Sequence, residues 1–319
     1  MNAHFVVDRS ISTAWPAYLA LLDSGELERR VTEAYVRLEE CDLCARYCRV
    51  NRRQTLKGVV CHTGEQAVVH GRGPHHGEED PLRGWAGSGT IFFTGCNLRC
   101  VFCQNWEISQ KGAGRAVSPE TLAGMMLDLQ QQGCHNINLV TPSHVVPQIL
   151  AATLLAARQG LRLPLVYNTG GYDSPEALAL LDGVVDIYMP DMKCGDSEIA
   201  HRYLHTRDYW AVNRAAVREM HRQVGDLTLD EYGLARRGLL VRHLVLPGDL
   251  ASTETVLAFL AREISTDTYL NVMDQYHPCY RAFKEPPLDR PLTRGEYERA
   301  LRLAEEYGLH RLDRPQRRR

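Results

Sequence analysis

Six short apolar runs separated by helical stretches occupy residues 90–273, and the first of them leads straight into three closely spaced cysteines. The runs are Thr90–Thr94, Asn136–Thr141, Leu163–Asn168, Val185–Met189, Leu239–Leu246 and Tyr269–Met273. Between them stand helical patterns, including Pro119–Gln132, Pro147–Gln159, Pro175–Leu181 and Ser252–Ile264. Pro119, Pro147 and Pro175 sit at or near helix starts, and Ser118 and Ser174 are placed to cap two of them. Strands alternating with helices argue for parallel βα units. Six such units predict an α/β fold in the form of a partial (β/α)6 barrel, with its chemistry on loops at the strand C-terminal ends.

The first strand end carries Thr94-Gly-Cys-Asn-Leu-Arg-Cys-Val-Phe-Cys-Gln-Asn105, in which Cys96, Cys100 and Cys103 are spaced C-x3-C-x2-C. Three thiolates on one loop can hold three irons of a [4Fe–4S] cubane and leave the fourth iron open to a small molecule. A closed structural site would use four protein ligands. On these residues the chain resembles the radical S-adenosylmethionine (SAM) proteins, and Phe102 fits the aromatic residue usual before their third cysteine. The run Cys103-Gln-Asn-Trp-Glu107 resembles the glycyl-radical-enzyme activases, and the lead-in Gly87-Ser-Gly-Thr-Ile-Phe-Phe-Thr-Gly95 resembles the branch similar to pyruvate formate-lyase activating enzyme.

The resemblance implies that the open iron chelates the amino and carboxylate groups of SAM. An electron from a low-potential donor of the flavodoxin or ferredoxin type then cleaves SAM to methionine and a 5′-deoxyadenosyl radical, which takes hydrogen from a substrate. It also implies cofactor contacts from Phe102 and Asn105 on the first loop and from the other five strand ends. Thr141 and Ser143 stand where the family has a glycine-rich segment, and Asn168, Thr169 and Gly170 close the third strand. Asp191 and Lys193 map near the methionyl and ribose parts of SAM, Arg242 points into the barrel, and Gln275 and His277 reach adenine or methionine. Cys194 and Cys279 lie at the same rim, either as hydrogen-atom donors to a product radical or as packed thiols.

A second group, Cys41, Cys44, Cys48 and Cys61, is spaced C-x2-C-x3-C-x12-C. Four thiolates make a closed set, suited either to tetrahedral zinc or to an auxiliary [4Fe–4S] cluster. Ala14–Glu40 before it reads as one or two amphipathic helices, and the Gly/Pro-punctuated Val69–Pro81 and Gly84–Gly89 after it read as loop, with His70, His75 and His76 solvated. Asp196–Arg237 reads as a long insertion, either a lid over the site or a surface helix pair. The expected division is a helical segment 1–40, a metal-binding module 41–89, a barrel 90–285, and a C-terminal helix with a basic tail 286–319.

Composition narrows the partners. The chain has 319 residues, 44% of them hydrophobic and 24% charged, and its 37 basic and 39 acidic residues give a net charge of −2. There is no basic footprint for nucleic acid. No run approaches the ~18 apolar residues of a membrane helix, and Met1–Asp8 lacks the charged-then-apolar pattern of a signal peptide. Ten cysteines in such a chain read as metal ligands in a reducing, cytoplasmic setting. Three functions fit: an activase of a glycyl-radical enzyme, a radical SAM enzyme modifying another protein side chain or a small metabolite, or a non-catalytic iron–sulfur or zinc protein.

Overall fold

Each of the six apolar runs becomes a strand in the structure, a computed structural model that describes residues 15–313. The Met1–Asp8 stretch and the basic tail from Arg314 lie outside the described residues. The strands are β1 (Ala67–His75), β2 (Ser88–Phe93), β3 (Arg115–Val117), β4 (Ile137–Val140), β5 (Leu165–Thr169), β6 (Ile187–Pro190), β7 (Thr228–Leu229), β8 (Ala235–Leu244) and β9 (Tyr269–Met273). β2, β4, β5, β6, β8 and β9 run parallel in that order, giving the predicted open barrel wall. β5 and β6 are buried at every residue, as expected of parallel strands covered on both faces.

The helices are α1 (Tyr18–Asp23), α2 (Glu26–Val36), α3 (Asp80–Arg83), α4 (Trp106–Ser109), α5 (Pro119–Gln131), α6 (Val146–Arg158), α7 (Pro175–Leu181), α8 (Ser197–Leu204), α9 (Tyr209–Val224), α10 (Thr253–Phe259) and α11 (Arg294–Glu306). The Ser118 and Ser174 hydroxyls accept from the Thr121 and Ala177 N–H groups, so both expected caps form. The predicted Ser252–Ile264 helix is α10 followed by a π-helical turn over Leu260–Ile264. α1 and α2 share the main core: Tyr18 donates to the Leu163 carbonyl at 2.9 Å, and the Ala17 N–H donates to Asp186 at 2.9 Å.

One expectation is corrected and one alternative is settled. Most of Val69–Pro81 is not loop: β1 pairs antiparallel with β2, and β3 pairs with β1 beyond it. Gly71, Gly73 and Pro74 hide the strand from a side-chain pattern, while its backbone pairing needs no side chain. Asp196–Arg237 takes the helix-pair alternative, as α8 and α9, rather than that of a lid. Its α9 is the crossover between β6 and β8, burying Asn213, Ala216, Val217 and Met220. Among the described residues, no helix is long and apolar enough to cross a membrane.

Candidate functional site at the barrel rim

β2 delivers the cysteine loop to the rim through Gly95, whose φ of 87° lies in the left-handed region. A Cβ at that position would collide with the Cys61 carbonyl, so the second cysteine group touches the first at this glycine. The loop is tied down from several sides. The Asn97 amide donates to the Tyr172 carbonyl at 2.7 Å, and the Val101 N–H donates to the Tyr203 carbonyl at 2.9 Å. His144, buried after β4, donates from Nε2 to the Thr94 carbonyl at 2.9 Å. Burial first, and then the neighbouring Arg52, hold its imidazole down at about 4, so it stays neutral.

The thiols suit a cluster. The Leu98 N–H donates to Cys96 Sγ at 3.3 Å, and Ser109 Oγ lies 3.2 Å from Cys103 Sγ, the kind of bonds that tune cluster sulfurs. Burial pushes the Cys96 thiol up to about 11 and Cys100 higher still, so without metal these two thiols keep their protons. Lys193 opposes that rise at both. Among the described residues no three His, Cys, Asp or Glu side chains converge on a single ion; cysteines on separate corners of a cubane need not do so.

Cys100 and Cys103 open onto a cavity of about 220 Å³, lined also by Phe102, Gln104, Asn105, Asp191, Lys193, Arg242, Leu244, Met273 and Gln275. Its charges are wired together. Asp191 accepts from Lys193 Nζ at 2.5 Å and from Arg242 Nε at 2.9 Å, and Arg242 also donates to Asn168 Oδ1 at 3.0 Å. Burial works to raise the Asp191 carboxyl, but Arg242 and then Lys193 outweigh it and hold it below the usual range. Phe102 meets Tyr276 edge-on at 6.4 Å, forming part of the apolar wall.

Thus Phe102, Asn105, Asp191, Lys193, Arg242 and Gln275 gather at one cavity. Of the other predicted contacts, Ser143, Thr169 and Gly170 stand one layer behind it. Ser143 Oγ lies 2.9 Å from Thr169 Oγ1, which donates to buried Asp173 at 2.7 Å. Gly170 offers its carbonyl to the Tyr209 hydroxyl, and the next glycine, Gly171, is packed so tightly that a Cβ would strike Asn213. Thr141 takes φ 61°, a glycine-like conformation costly for a β-branched residue. His277 is exposed beside Gln104. Cys194 is 2% exposed, with Sγ directed to the Asp196 carbonyl at 3.2 Å, while Cys279 is half-buried near Cys103.

Sequence reasoning assigned no role to Gln104, Leu244 or Met273, which complete the lining, and placed Tyr209 only in the segment read as a lid or helix pair. The Tyr209 hydroxyl donates toward the Gly170 and Asp191 carbonyls and accepts the Lys193 N–H, fixing two strand ends together. Only distance in space reveals it, since α9 lies far along the chain. Arg52 is likewise new. It is 2% exposed, donates to the Thr63, Gly64 and His144 carbonyls and lies 3.7 Å from Cys41 Sγ. Burial raises the proton affinity of the Cys44 and Cys61 thiols, and nearby cysteines add to it: Cys61, Cys41 and Cys48 at Cys44, and Cys41 at Cys61. A buried guanidinium without a carboxylate among these hydrogen-bond partners suits a group of thiolates.

Known proteins bear on this geometry. Residues 90–236 match the Radical SAM superfamily. Uncharacterized protein MJ0674 of Methanocaldococcus jannaschii is 32% identical over 291 residues, covering 89% of this chain and 79% of that protein. A solved structure of TYW1 with a lysine-pyruvate adduct bound is similar at a TM-score of 0.42 and 11% identity, over 68% of this chain and 73% of that one. With the cysteine loop at the first strand end of a six-stranded parallel wall, residues 90–236 carry a radical SAM superfamily domain.

Proposed function

We propose that the rim cavity binds SAM and that the bound cluster supplies its reductive cleavage to methionine and a 5′-deoxyadenosyl radical, which takes hydrogen from a substrate. The observation that carries this reading is the convergence of Cys100, Cys103, Asp191, Lys193 and Arg242 on one cavity. Lys193 and Arg242 offer cationic donors to a carboxylate, Lys193 as a point charge and Arg242 as a fork. Asp191 holds both in place. Phe102 and Leu244 exclude water from the apolar side. Anaerobically reconstituted protein given dithionite and SAM releases 5′-deoxyadenosine on this reading; no release above a Cys96→Ala control overturns it and leaves a non-catalytic metal protein.

The substrate branch follows from Cys103-Gln-Asn-Trp-Glu107, which supports an activase that takes hydrogen from a glycine of a partner enzyme. A glycyl doublet in electron paramagnetic resonance after incubation with glycyl-radical enzymes is the expected result. Its absence across partners assigns the radical to another protein side chain or a small metabolite. Cys41, Cys44, Cys48 and Cys61 form the second metal site, with Arg52 facing its charge. Metal analysis separates its occupants, because zinc there adds no iron beyond the rim cluster. The electron donor is a low-potential protein of the flavodoxin or ferredoxin type, and the setting is the cytoplasm.

A further inference from the structure

The two cysteine groups exchange arginines. Arg46, between Cys44 and Cys48, donates from Nε to the carbonyl of Asn97, which stands between Cys96 and Cys100, at 2.7 Å. Arg99, also between Cys96 and Cys100, donates back from Nη2 to the carbonyl of Val60, one residue before Cys61, at 2.7 Å. The same Nη2 donates to Nε2 of His62, one residue after Cys61, at 2.5 Å. Each group of cysteines is therefore gripped by a charged donor that the other group carries.

Both arginines are also fixed to their own surroundings. The Arg46 N–H bonds the Cys44 sulfur, its Nη1 donates to the His205 carbonyl at 2.9 Å, and its guanidinium lies 5.4 Å from the centre of the Tyr172 ring. Arg99 Nη1 donates to Gln110 Oε1 at 3.0 Å, and Gln110 in turn donates to the Ser109 hydroxyl that faces Cys103. A third link runs through Arg52, which donates to the carbonyl of His144 while the His144 ring donates to that of Thr94. Charge-assisted hydrogen bonds are strong only in good geometry, and the geometry of all these acceptors is that of two ordered loops. Metal orders the loop that binds it. Ordering one loop therefore removes part of the entropic cost of ordering the other.

We propose that Arg46 and Arg99 are positioning residues that couple the two cysteine groups, so that metal held by Cys41, Cys44, Cys48 and Cys61 tightens the hold of Cys96, Cys100 and Cys103 on the rim cluster. The inference rests on the reading of both groups as metal sites. The coupling is reciprocal, since each site gains from the order of the other.

Anaerobic titration of the reconstituted protein with EDTA tests it, read as loss of the SAM-responsive paramagnetic signal of the dithionite-reduced rim cluster. Cys44→Ser, made to empty the second site, is expected to lower the EDTA concentration at half-loss at least tenfold. Arg46→Gln and Arg99→Gln, which keep every cysteine, are each expected to lower it at least threefold, and to add nothing once Cys44→Ser is present. An arginine that only stabilised the rim loop would act equally in both backgrounds. Cys48→Ser, at a less buried cysteine, is the second emptying variant should Cys44→Ser not fold. A half-loss point unmoved by emptying the second site, or arginine effects equal in the two backgrounds, overturns the inference alone. Emptying variants that hold as much metal as the unaltered protein overturn the second-site reading, and an unaltered protein without a SAM-responsive signal overturns the rim reading; the inference falls with either.

Discussion

At the rim, Asp191 lies between Lys193 and Arg242; elsewhere in the barrel, Glu78 and Glu79 lie side by side, against Asn138 and Asn271. Both places bury carboxyls inside the same barrel, and they solve the cost in opposite ways. The rim has more cations than carboxylates and keeps its shape through direct ion pairs. At Glu78, burial first and then the neighbouring Glu79 push the carboxyl up to about 7. A site whose charges are paired within the protein is pre-organised for a zwitterion, whereas the Glu78 carboxyl meets its burial by holding a proton.

The contrast breaks most visibly at Asp191. Asp191→Ala leaves Lys193 and Arg242 facing each other with side chains only about one-fifth exposed, and is expected to cost ~3–5 kcal/mol. A thermal melt should show a large fall in the midpoint, and an unchanged midpoint would mean that the rim is not held by its ion pairs. Next in size is Gly95→Ala, at the seam with the cysteine module. The left-handed backbone and the Cys61 carbonyl both oppose a Cβ, for a cost of ~2 kcal/mol. Iron content should drop with stability, and full iron retention would detach the two cysteine groups from each other.

The pH dependence of stability sharpens the contrast further. Glu78 binds its proton with a folded value near 7 against an ordinary 4.5. The folded state therefore holds more protons than the unfolded chain in that interval, so stability is fully present below about 4.5 and is lost as pH rises toward 7. The slope contributed is at most ~1.4 kcal/mol per pH unit. Glu78→Gln should flatten it in denaturant titrations from pH 5 to about 7.5. Asp186 and Asp313, both raised to about 6 chiefly by burial, add a slope of the same sign to both proteins, so the difference isolates Glu78. The smallest effect is expected of Glu79→Gln, which should stabilise the ligand-free protein by up to ~1 kcal/mol, opposite in sign to Asp191→Ala. Destabilisation by Glu79→Gln would indicate a carboxylate already balanced within the protein.

The barrel strands were legible because each is an apolar run bounded by turn residues; the predicted Tyr269–Met273 coincides with β9. β1 was not, since a strand written with Gly71, Gly73 and Pro74 carries its information in backbone pairing. α9 was read only as part of a lid or a helix pair, because polar and aromatic residues spread along Tyr209–Val224 mask the narrow buried stripe that faces β6 and β8. At the site, Asp191, Lys193 and Arg242 came from strand ends that resemble those of the activases, and the fold gathers all three at one cavity. Glu78 and Glu79 were not legible: two acids before Asp80-Pro81 look like a solvated turn, and only the fold turns them inward. Tyr209 and Arg52 act through long-range hydrogen bonds that no local spacing encodes.

The central claim is that SAM meets the cluster in the cavity between the cysteine loop and Asp191, Lys193 and Arg242. Electron paramagnetic resonance of the reconstituted, dithionite-reduced protein before and after addition of SAM tests it most directly. The account predicts an iron–sulfur signal whose g-values move on SAM addition, with that SAM-responsive signal missing from Cys100→Ala. A spectrum that SAM leaves unchanged, or a SAM response that survives in Cys100→Ala, would contradict it.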